Sequence, residues 1–281
     1  MSDVIFYSGV CSKISELITY RYSTSFSLGI RMFPKKSRSP ICAIYGFVRL
    51  ADEIVDSFYG HDKEKLLLDF RKQTFEAIDL KISTNPIIQS FQEIVNRYNM
   101  DLNLIHSFLD SMSMDLYLRE YDNEQFIKYI YGSAEVIGLM CLCIFVERDK
   151  ETYLKLSPYA RALGAAYQKV NFLRDIQGDY FDRGRVYFPG LNIRQFEDNY
   201  RAKIEADIEN DFIEAKKGIR LLPLNIAFGI YVSYLFYWSL FLKIKSIEAR
   251  QIFERRIRIS NIRKMGILCK AYIKFHLNMQ I

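Results

Sequence analysis

Residues 164–189 read GAAYQKVNFLRDIQGDYFDRGRVYFP, and this segment is the most informative one about the fold. On a helix, Gln168, Asn171, Asp175 and Asp179 fall at i, i+3, i+7 and i+11, so one stripe carries two amides followed by two carboxylates. Like charges four residues apart oppose helix formation by roughly a few tenths of a kcal/mol. The stretch therefore predicts a helix whose acidic end attracts a cation.

A second acidic stripe lies upstream, at Tyr45, Arg49, Asp52 and Asp56. The alternative interpretation is a solvated face in which Arg49 pairs with Asp52 or Glu53, an arrangement that contributes little to stability. A single D-x-x-x-D pair is weak evidence for a metal site. Two acidic helical faces in one chain instead predict divalent metal ions that hold an anionic ligand.

Composition indicates a globular protein with ample material for a core. The chain has 281 residues, of which 50% are hydrophobic and 15% aromatic, and we predict one domain over residues 1–281. The five cysteines are odd in number and lack the spacing of a zinc site, which is typical of reduced cytosolic thiols. The N-terminus has no basic segment leading into an apolar core, so we expect no secretory signal.

The basic charge is concentrated near the C-terminus. Residues 243–274 contain ten Lys or Arg against two Glu, a local charge of +8, which leaves −2 for the rest of the +6 chain. This region suits contact with anionic lipid headgroups or nucleic acid, or it forms an ordinary solvated helical face. The neighbouring apolar run at 229–242 is shorter than the roughly 20 residues that cross a bilayer, so we expect a buried helix lining a core or an apolar pocket.

The apolar residues repeat with the helical period throughout, and the fold class is therefore all-α. Ser39-Pro40, Asn85-Pro86 and Ser157-Pro158 each place a capping residue before a proline at the first helical position. We expect helices at residues 10–31, 40–57, 62–80, 86–98, 102–120, 124–147, 150–156, 158–182, 201–221, 224–244, 247–257 and 261–277.

Polar residues in two other segments have both a structural and a functional interpretation. The hydroxyls of Ser23, Thr24 and Ser25 can donate to a phosphate, but they can equally bond back to helix carbonyls. Glu135 lies in an apolar run where a carboxylate must be paired or near water, and we interpret it as structural.

The C-terminal end of the segment 164–189 adds cations to the acidic stripe. Arg183 and Arg185 flank a glycine just past the predicted helix end, and Arg174 lies within the helix. Guanidinium groups match phosphate geometry, and Mg²⁺ commonly bridges one or two carboxylates to substrate phosphates. Together with the upstream stripe these residues predict a magnesium-diphosphate clamp, and the aromatic interior fits a long hydrocarbon. The alternative is a salt-bridged helix end.

At this point the chain resembles the head-to-head prenyl synthases, the squalene, dehydrosqualene and phytoene synthases. The motifs occur in that family's order and spacing and cover nearly the whole chain. The matching segments are STSF at 23–26, AIYGFVRLADEIVD at 43–56, residues 129–138, QKVNFLRDIQGD at 168–179 and RGRVYFP at 183–189.

The resemblance implies an all-α isoprenoid synthase fold, a helical bundle whose central apolar cavity has both acidic helices at its mouth. It assigns the metal ions and diphosphate to Asp52, Asp56, Asn171, Asp175 and Asp179, with the four aspartates and Tyr45 as catalytic residues. It implies substrate contacts at Ser23, Thr24, Ser25, Phe26, Tyr45, Arg49, Tyr129, Gln168, Arg174, Arg183 and Arg185.

Two departures from the family pattern stand out. Many bacterial members carry Lys where this chain has Thr24, so one phosphate counter-charge is missing, and Arg21 is a candidate replacement. Glu135 stands where many members have Gly, which affects the shape of the cavity wall.

The chemistry implied by the resemblance is the joining of two prenyl diphosphates through a cyclopropylcarbinyl diphosphate, supported by Mg²⁺ or Mn²⁺. Among the products we favour phytoene, made from two geranylgeranyl diphosphates in carotenoid biosynthesis, for which no NADPH is expected. Dehydrosqualene or squalene from farnesyl diphosphate is the alternative, and squalene would need NADPH. A chain-elongating synthase, a terpene cyclase or a non-catalytic binding protein on the same fold remains open.

The expected partners are the prenyl diphosphate substrates, with no nucleic acid. We expect a cytoplasmic location, with peripheral contact at the inner face of the cell membrane through residues 243–274.

Overall fold

The structure is a computed structural model that describes residues 2–191, 198–254 and 256–277. Within these ranges the chain is helical with no β-strand, and only an isolated bridge joins Glu120 to Val186. A π-helix covers Tyr131–Glu135. The α-helices are α1 Ser2–Tyr22, α2 Thr24–Arg31, α3 Lys35–Asp56, α4 Lys63–Leu80, α5 Pro86–Tyr98, α6 Leu102–Tyr117, α7 Asn123–Ile130, α8 Val136–Val146, α9 Lys150–Phe181, α10 Asp198–Ile219, α11 Leu224–Lys245, α12 Ala249–Glu254 and α13 Asn261–His276.

Side-chain caps explain several helix starts. The Asn85 side chain accepts from the backbone N–H groups of Ile87 and Ile88, with Pro86 first in α5 as predicted. Asp122 and Gln125 form a capping box at α7. Such pairs satisfy backbone donors that have no partner within the helix.

The first predicted helix, 10–31, is wrong in two respects. It begins eight residues earlier, at Ser2, and it is interrupted at Ser23. Ser23 adopts an extended backbone, and its hydroxyl accepts from the Phe26 N–H 3.2 Å away, which starts α2 as a separate helix. The Ser23 cap therefore divides into two helices a segment whose apolar period predicts one continuous helix.

Pro40 and Pro158 do not start helices, so both of these predictions are wrong. Pro40 is buried within α3, which begins at Lys35, and Pro158 lies inside the continuous α9, which Asp149 caps through the Thr152 N–H. A proline in a helix interior removes one backbone hydrogen bond. Packing of the long apolar faces outweighs that loss here, because both helices pass through the centre of the molecule.

Two apolar clusters form the core. In the first, the Phe47 ring of α3 stacks on Phe91 at 3.8 Å and on Phe70 at 5.1 Å between centroids. The second cluster joins α9, α10 and α11. There Lys169 of α9 reaches across to Asp207 and Asp211 of α10 at 2.5 and 2.7 Å. The cavity described below lies where these two clusters meet.

The region 124–147, predicted as one helix, contains the π-helix. Gly164 of α9 packs so close to it that an added Cβ would lie 2.5 Å from the Ala134 carbonyl oxygen, and Gly138 is equally close to the Ala160 carbonyl oxygen. Glu135 pairs with Arg161, Nε to Oε2, at 2.5 Å. The small residues thus allow the close helix approach that the sequence indicated, and Glu135 has a structural partner.

Two stretches in the described ranges, Asn123–Val146 and Leu224–Lys245, are long and apolar enough to span a bilayer, and 56% of an apolar 18-residue window in each is buried inside the fold. The apolar run at 229–242 belongs to α11, which has 22 residues and ends one residue beyond the predicted helix 224–244. Ile230, Ser233 and Tyr237 of α11 line the central cavity, which confirms the prediction for this helix.

Candidate active site

A cavity of about 600 Å³ runs through the bundle between the two core clusters. One end is polar and carries the acidic residues of α3 and α9, and we call this end the mouth. The remainder is lined by apolar and aromatic side chains of α2, α8, α9, α10 and α11, among them Ile30, Phe145, Leu156 and Ile219. The cavity thus combines an anionic entrance with a long apolar interior.

The two acidic stripes meet at the mouth. Arg183 donates from Nη1 to Asp179 Oδ1 at 3.0 Å, and its Nε lies 3.6 Å from Asp56 Oδ2. Arg185 donates from Nη1 to Asp56 Oδ1 at 2.7 Å. Both arginines follow the end of α9 on a turn in which Gly184 has a positive φ of 65°, a conformation that glycine adopts readily. The turn therefore folds these cations back between α3 and α9.

Asp175 is held by two other arginines. Arg174 donates from Nε to Asp175 Oδ1 at 2.9 Å, and Arg256 Nε lies 2.7 Å from the same oxygen. Arg256 comes from the basic C-terminal region and lines the cavity. Part of that region therefore belongs to the site, which its charge alone did not indicate.

Two carboxylates at the mouth lack full charge compensation. Burial, reinforced by Asp56, raises the pKa of Asp52 to about 7. Burial, reinforced by Asp175, raises the pKa of Asp179 to about 7 as well. Desolvation and a neighbouring like charge each disfavour the ionised form. A cation placed between these groups would favour that form.

The donor set fits divalent metal ions. The side-chain oxygen Oδ1 of Asn171 is buried without a hydrogen-bond partner, and no described residue bonds or pairs with Asp52. In the described part of the chain no three acidic, His or Cys side chains already converge on one point, because the arginines bridge the carboxylates. Oxygen donors of this kind, some still unpaired, are those that Mg²⁺ prefers.

Most of the predicted site residues line one cavity. Phe26 stacks on Tyr45 with centroids 5.1 Å apart, and burial raises the Tyr45 pKa to about 12, so its hydroxyl stays protonated. Arg49 pairs with Glu53, the salt bridge weighed above, and lies 4.3 Å over the Tyr22 ring. The predicted residues in the wall are Ser23, Phe26, Tyr45, Arg49, Asp52, Asp56, Tyr129, Gln168, Asn171, Arg174, Asp175, Asp179 and Arg183.

Two predicted substrate contacts, Arg185 and Thr24, depart from that arrangement, and a third prediction, Ser25, is not tested. Arg185 is 5% exposed and lies behind Asp56, outside the cavity wall, because the buried Asp115 and Tyr187 draw it inward. Thr24 is exposed at the start of α2, and it too is absent from the wall. The Ser25 side chain lies outside what the structure describes.

Sequence reasoning missed Asp115. This buried carboxylate of α6 accepts hydrogen bonds from the hydroxyls of Tyr121, Tyr129 and Tyr187 at 3.0, 2.7 and 3.0 Å, and it lies 3.8 Å from Arg185. The network fixes Arg185 and, through it, Asp56. The sequence does contain an indication of this network, because an aspartate in the apolar stripe of α6 requires buried partners.

Comparison with known proteins identifies the family. Residues 19–263 match the family profile described as squalene/phytoene synthase. The phytoene synthase of Mycobacterium bovis is 29% identical over 178 residues, which are 63% of this chain and 57% of that protein. The 15-cis-phytoene synthase of Synechococcus elongatus is 26% identical over 281 residues, covering 92% of this chain and 91% of that protein.

A solved structure agrees in shape. A crystal structure of a dehydrosqualene synthase in complex with ligand superposes with a TM-score of 0.83 at 20% identity, covering 97% of this chain and 98% of that one. The predicted all-α isoprenoid synthase fold is thereby confirmed. With its fold and the family match over residues 19–263 in agreement, the chain belongs to the squalene/phytoene synthase family.

Proposed function

We propose that this protein condenses two molecules of geranylgeranyl diphosphate head to head to form phytoene, through a cyclopropylcarbinyl diphosphate. The proposal rests mainly on one observation. Two acidic helical faces meet at the mouth of a cavity of about 600 Å³ whose interior is apolar and aromatic. A diphosphate bound at the mouth would place its hydrocarbon chain in that interior.

We assign the metal ions, Mg²⁺ with Mn²⁺ as a substitute, to the oxygen donors of the mouth. When bound, such ions neutralise the charge of a leaving diphosphate. The residues that would hold them are Asp52, Asp56, Asn171, Asp175 and Asp179. The incompletely compensated charges of Asp52 and Asp179 and the unpartnered Asn171 oxygen support this assignment.

The chain's own cations and rings complete the site. Arg174, Arg183 and Arg256 lie at the mouth, where their guanidinium groups suit phosphate oxygens. The stacked Phe26 and Tyr45 rings present faces that attract carbocations formed beside them. The apolar wall keeps water away from those cations, which would otherwise be quenched.

The preference for the C20 donor rests on the relatives named as phytoene synthases. The length of the cavity is consistent with that choice. Asp175 and Leu156 both line it and lie 19 residues apart on α9, which corresponds to roughly 28 Å of helix. The alternative is a dehydrosqualene-type or squalene-type enzyme that uses farnesyl diphosphate.

A non-catalytic binding protein on this fold is the weaker alternative. Such a protein has no need for a complete clamp, whereas both aspartate pairs of this chain lie at one mouth.

The decisive experiment incubates purified protein with geranylgeranyl or farnesyl diphosphate, with Mg²⁺ or EDTA, and with or without NADPH. Extracted hydrocarbons are then identified by mass spectrometry. We expect a metal-dependent C40 hydrocarbon from the C20 donor, unaffected by NADPH. A C30 product would move the enzyme to the alternative, and no product from either donor would contradict catalysis.

We also propose peripheral contact with anionic lipid, located on α13. Ile262, Met265, Cys269, Tyr272 and Ile273 form one exposed stripe at helical spacing on this helix. Lys270 and Lys274 lie beside the stripe. An apolar stripe flanked by lysines is typical of helices that lie at a membrane surface.

A further inference from the structure

Asp115 of α6 is a buried carboxylate to which the proposed reaction gives no role. It is 4% exposed, and the hydroxyls of Tyr121, Tyr129 and Tyr187 donate to it. Burial raises the pKa of Asp115, while Arg185 and the Tyr129 hydroxyl act against that rise. Hydrogen-bond donors and a nearby cation favour the ionised form of a carboxyl group. The fold therefore commits four polar groups to keeping one negative charge inside the protein.

Arg185 is the cation that Asp115 shares with the mouth. Its Nη1 donates to Asp56 Oδ1 at 2.7 Å and lies 3.8 Å from Asp115 Oδ1. The same Nη1 donates to the Tyr187 hydroxyl at 3.4 Å, and that hydroxyl donates to Asp115. One guanidinium group thus stands between two carboxylates, so this group of three side chains keeps one negative charge.

The shared cation determines how much negative charge Asp56 presents at the mouth. If Arg185 faced Asp56 alone, the two opposite charges would compensate each other. Asp115 attracts the same guanidinium group, and charges a few ångströms apart in a buried site interact strongly. The influence of Asp115 also extends to Asp52, because burial is the main cause of the raised pKa of Asp52 and Asp115 contributes to it. Asp115 therefore makes the mouth more attractive to cations.

Packing holds Arg185 in this position. The N–H of Val186 donates to the Arg119 carbonyl oxygen at 2.7 Å, which fixes the turn after α9 against the segment that follows α6. Arg185 is 5% exposed, whereas Arg183 lines the cavity and has 32% of its side chain exposed. Arg183 can turn toward a ligand. Arg185, by contrast, stays between the two carboxylates.

We propose that Asp115 is a positioning residue for Asp56, which it acts on by sharing Arg185, so that Asp56 stays in place and retains enough negative charge to bind a divalent cation. The inference rests on the proposed function, which assigns Asp56 to the metal ions. The alternative is that Asp115 only anchors tyrosine hydroxyls and thereby stabilises the fold. The two roles differ in whether the charge of Asp115 matters or only its hydrogen bonds.

The test measures binding of Mn²⁺ alone, without any diphosphate, from the electron paramagnetic resonance signal of the free ion. Asp115→Asn keeps the volume of the side chain and removes its charge. We expect this variant to bind Mn²⁺ at least about ten-fold more weakly than wild type, as for loss of a residue that supports a metal ligand. Asp110→Asn removes an acidic charge from a half-exposed position of the same helix and should bind as wild type does.

Two further variants separate charge from hydrogen bonding. Tyr121→Phe removes one hydrogen bond to Asp115 and leaves every charge in place. It should unfold at a lower temperature than wild type but bind Mn²⁺ with the same affinity. The double variant Asp115→Asn/Arg185→Met removes both charges behind Asp56. We expect it to recover most of the affinity that Asp115→Asn loses, because Asp56 is then no longer compensated by Arg185.

Circular dichroism checks that each variant folds. If Asp115→Asn alone does not fold, the double variant decides the question. An affinity close to that of wild type would support the shared charge. An affinity about ten-fold higher would mean that Arg185 compensates Asp56 without any influence of Asp115, and would overturn the inference.

Equal Mn²⁺ binding by wild type and Asp115→Asn, or no binding by wild type, also overturns the inference. So does an equal loss of affinity in Tyr121→Phe and Asp115→Asn, or a double variant without recovery. The outcome is separable from that of the proposed function. If wild type forms no prenyl product while its Mn²⁺ binding depends on Asp115 as predicted, the positioning role stands and the proposed reaction fails. If product forms and Asp115→Asn leaves Mn²⁺ binding unchanged, the reaction stands and the positioning role fails.

Discussion

At the scale of single residues, the mouth holds charge that the protein itself leaves unmatched. Among the described residues, Asp52 has no hydrogen-bond or salt-bridge partner, and Asn171 Oδ1 is buried without a donor. Each deficit is one that a bound metal ion would correct. Functional residues of this kind reduce the stability of the empty protein and increase its affinity for charged ligands.

We predict that Asp52→Asn and Asp175→Asn each reduce turnover at least about a hundredfold, since losing a metal ligand weakens charge neutralisation worth several kcal/mol. The fold should persist, because the amide keeps the volume of the carboxylate. Product formation and circular dichroism measure the two effects. Asp69→Asn, which alters an exposed residue of α4, is the control. Unchanged product formation in both clamp variants would refute the assignment.

A second prediction concerns pH. The folded-state pKa of Asp52 is about 7, against an ordinary value of 3.8, so the fold disfavours its ionised form. The stability contribution is therefore complete below pH 3.8 and is lost as the pH rises through about 7. Asp52→Asn removes this loss. In EDTA, we expect the variant to gain on the order of 1 to 2 kcal/mol over wild type between pH 5.5 and pH 8.

Urea unfolding at the two pH values measures the difference. Comparing the variant with wild type cancels the titration of groups that the two proteins share. If wild type loses no more stability than the variant between these two pH values, burial does not raise the folded-state pKa of Asp52.

At the scale of elements, the sequence indicates which segments are helical but not how they join. The prolines show why. Pro40 and Pro158 carry the local signature of a helix start, yet both lie inside long helices. That outcome depends on apolar faces buried against distant segments, which local chemistry does not reveal. At Ser23 the opposite occurs: its hydroxyl caps a new helix at a point where the apolar period predicts one uninterrupted helix.

The close packing of α9 against the π-helix gives a third prediction. In Gly164→Ala the new Cβ would lie 2.5 Å from a backbone oxygen, so we expect a loss of about 1 to 3 kcal/mol, as for overpacked cores. Gly266→Ala on α13 is the matched control, because nothing lies within 4 Å of its Cβ. The control should gain up to about 1 kcal/mol from helix propensity. Similar unfolding temperatures for both variants would contradict this packing.

A fourth prediction concerns the exposed stripe of α13. Replacing Ile262 and Ile273 with Asp should reduce co-sedimentation with vesicles of phosphatidylcholine and phosphatidylglycerol at least several-fold, because it removes apolar area and adds repulsion from anionic headgroups. Ile127→Asp on α7 alters an equally exposed residue and serves as the control. If wild type binds vesicles of phosphatidylcholine alone equally well, α13 is not an anionic-lipid contact.

At the scale of the whole molecule, the fold brings distant motifs to one mouth. The sequence predicted the two acidic stripes, and these meet as expected. It did not predict the role of Asp115, because this residue acts through partners from separate segments of the chain. It also left the apolar end of the cavity undefined, since that end is built from α8, α9 and α10 together.

That apolar end provides the last prediction. Ala215 of α10 is 1% exposed and lines the cavity beyond the mouth, with Leu163 of α9 also in the wall. In Ala215→Leu the larger side chain would occupy space that the distal part of a C20 chain needs and a shorter C15 chain does not. Excluding even one methylene from an apolar pocket costs about 1 to 3 kcal/mol. We therefore expect kcat/KM for geranylgeranyl diphosphate to fall at least about ten-fold, while that for farnesyl diphosphate changes little.

Ala202→Leu makes the same substitution at an exposed position of α10 and should leave both donors unaffected. The measurement is a competition between the two donors, with C30 and C40 hydrocarbons resolved by mass, because the product ratio does not depend on how much enzyme is folded. An equal loss for both donors would mean that Ala215 supports the fold without limiting chain length. A selective loss of the C40 product would place the C20 chain along α9 and α10, as the proposed reaction requires.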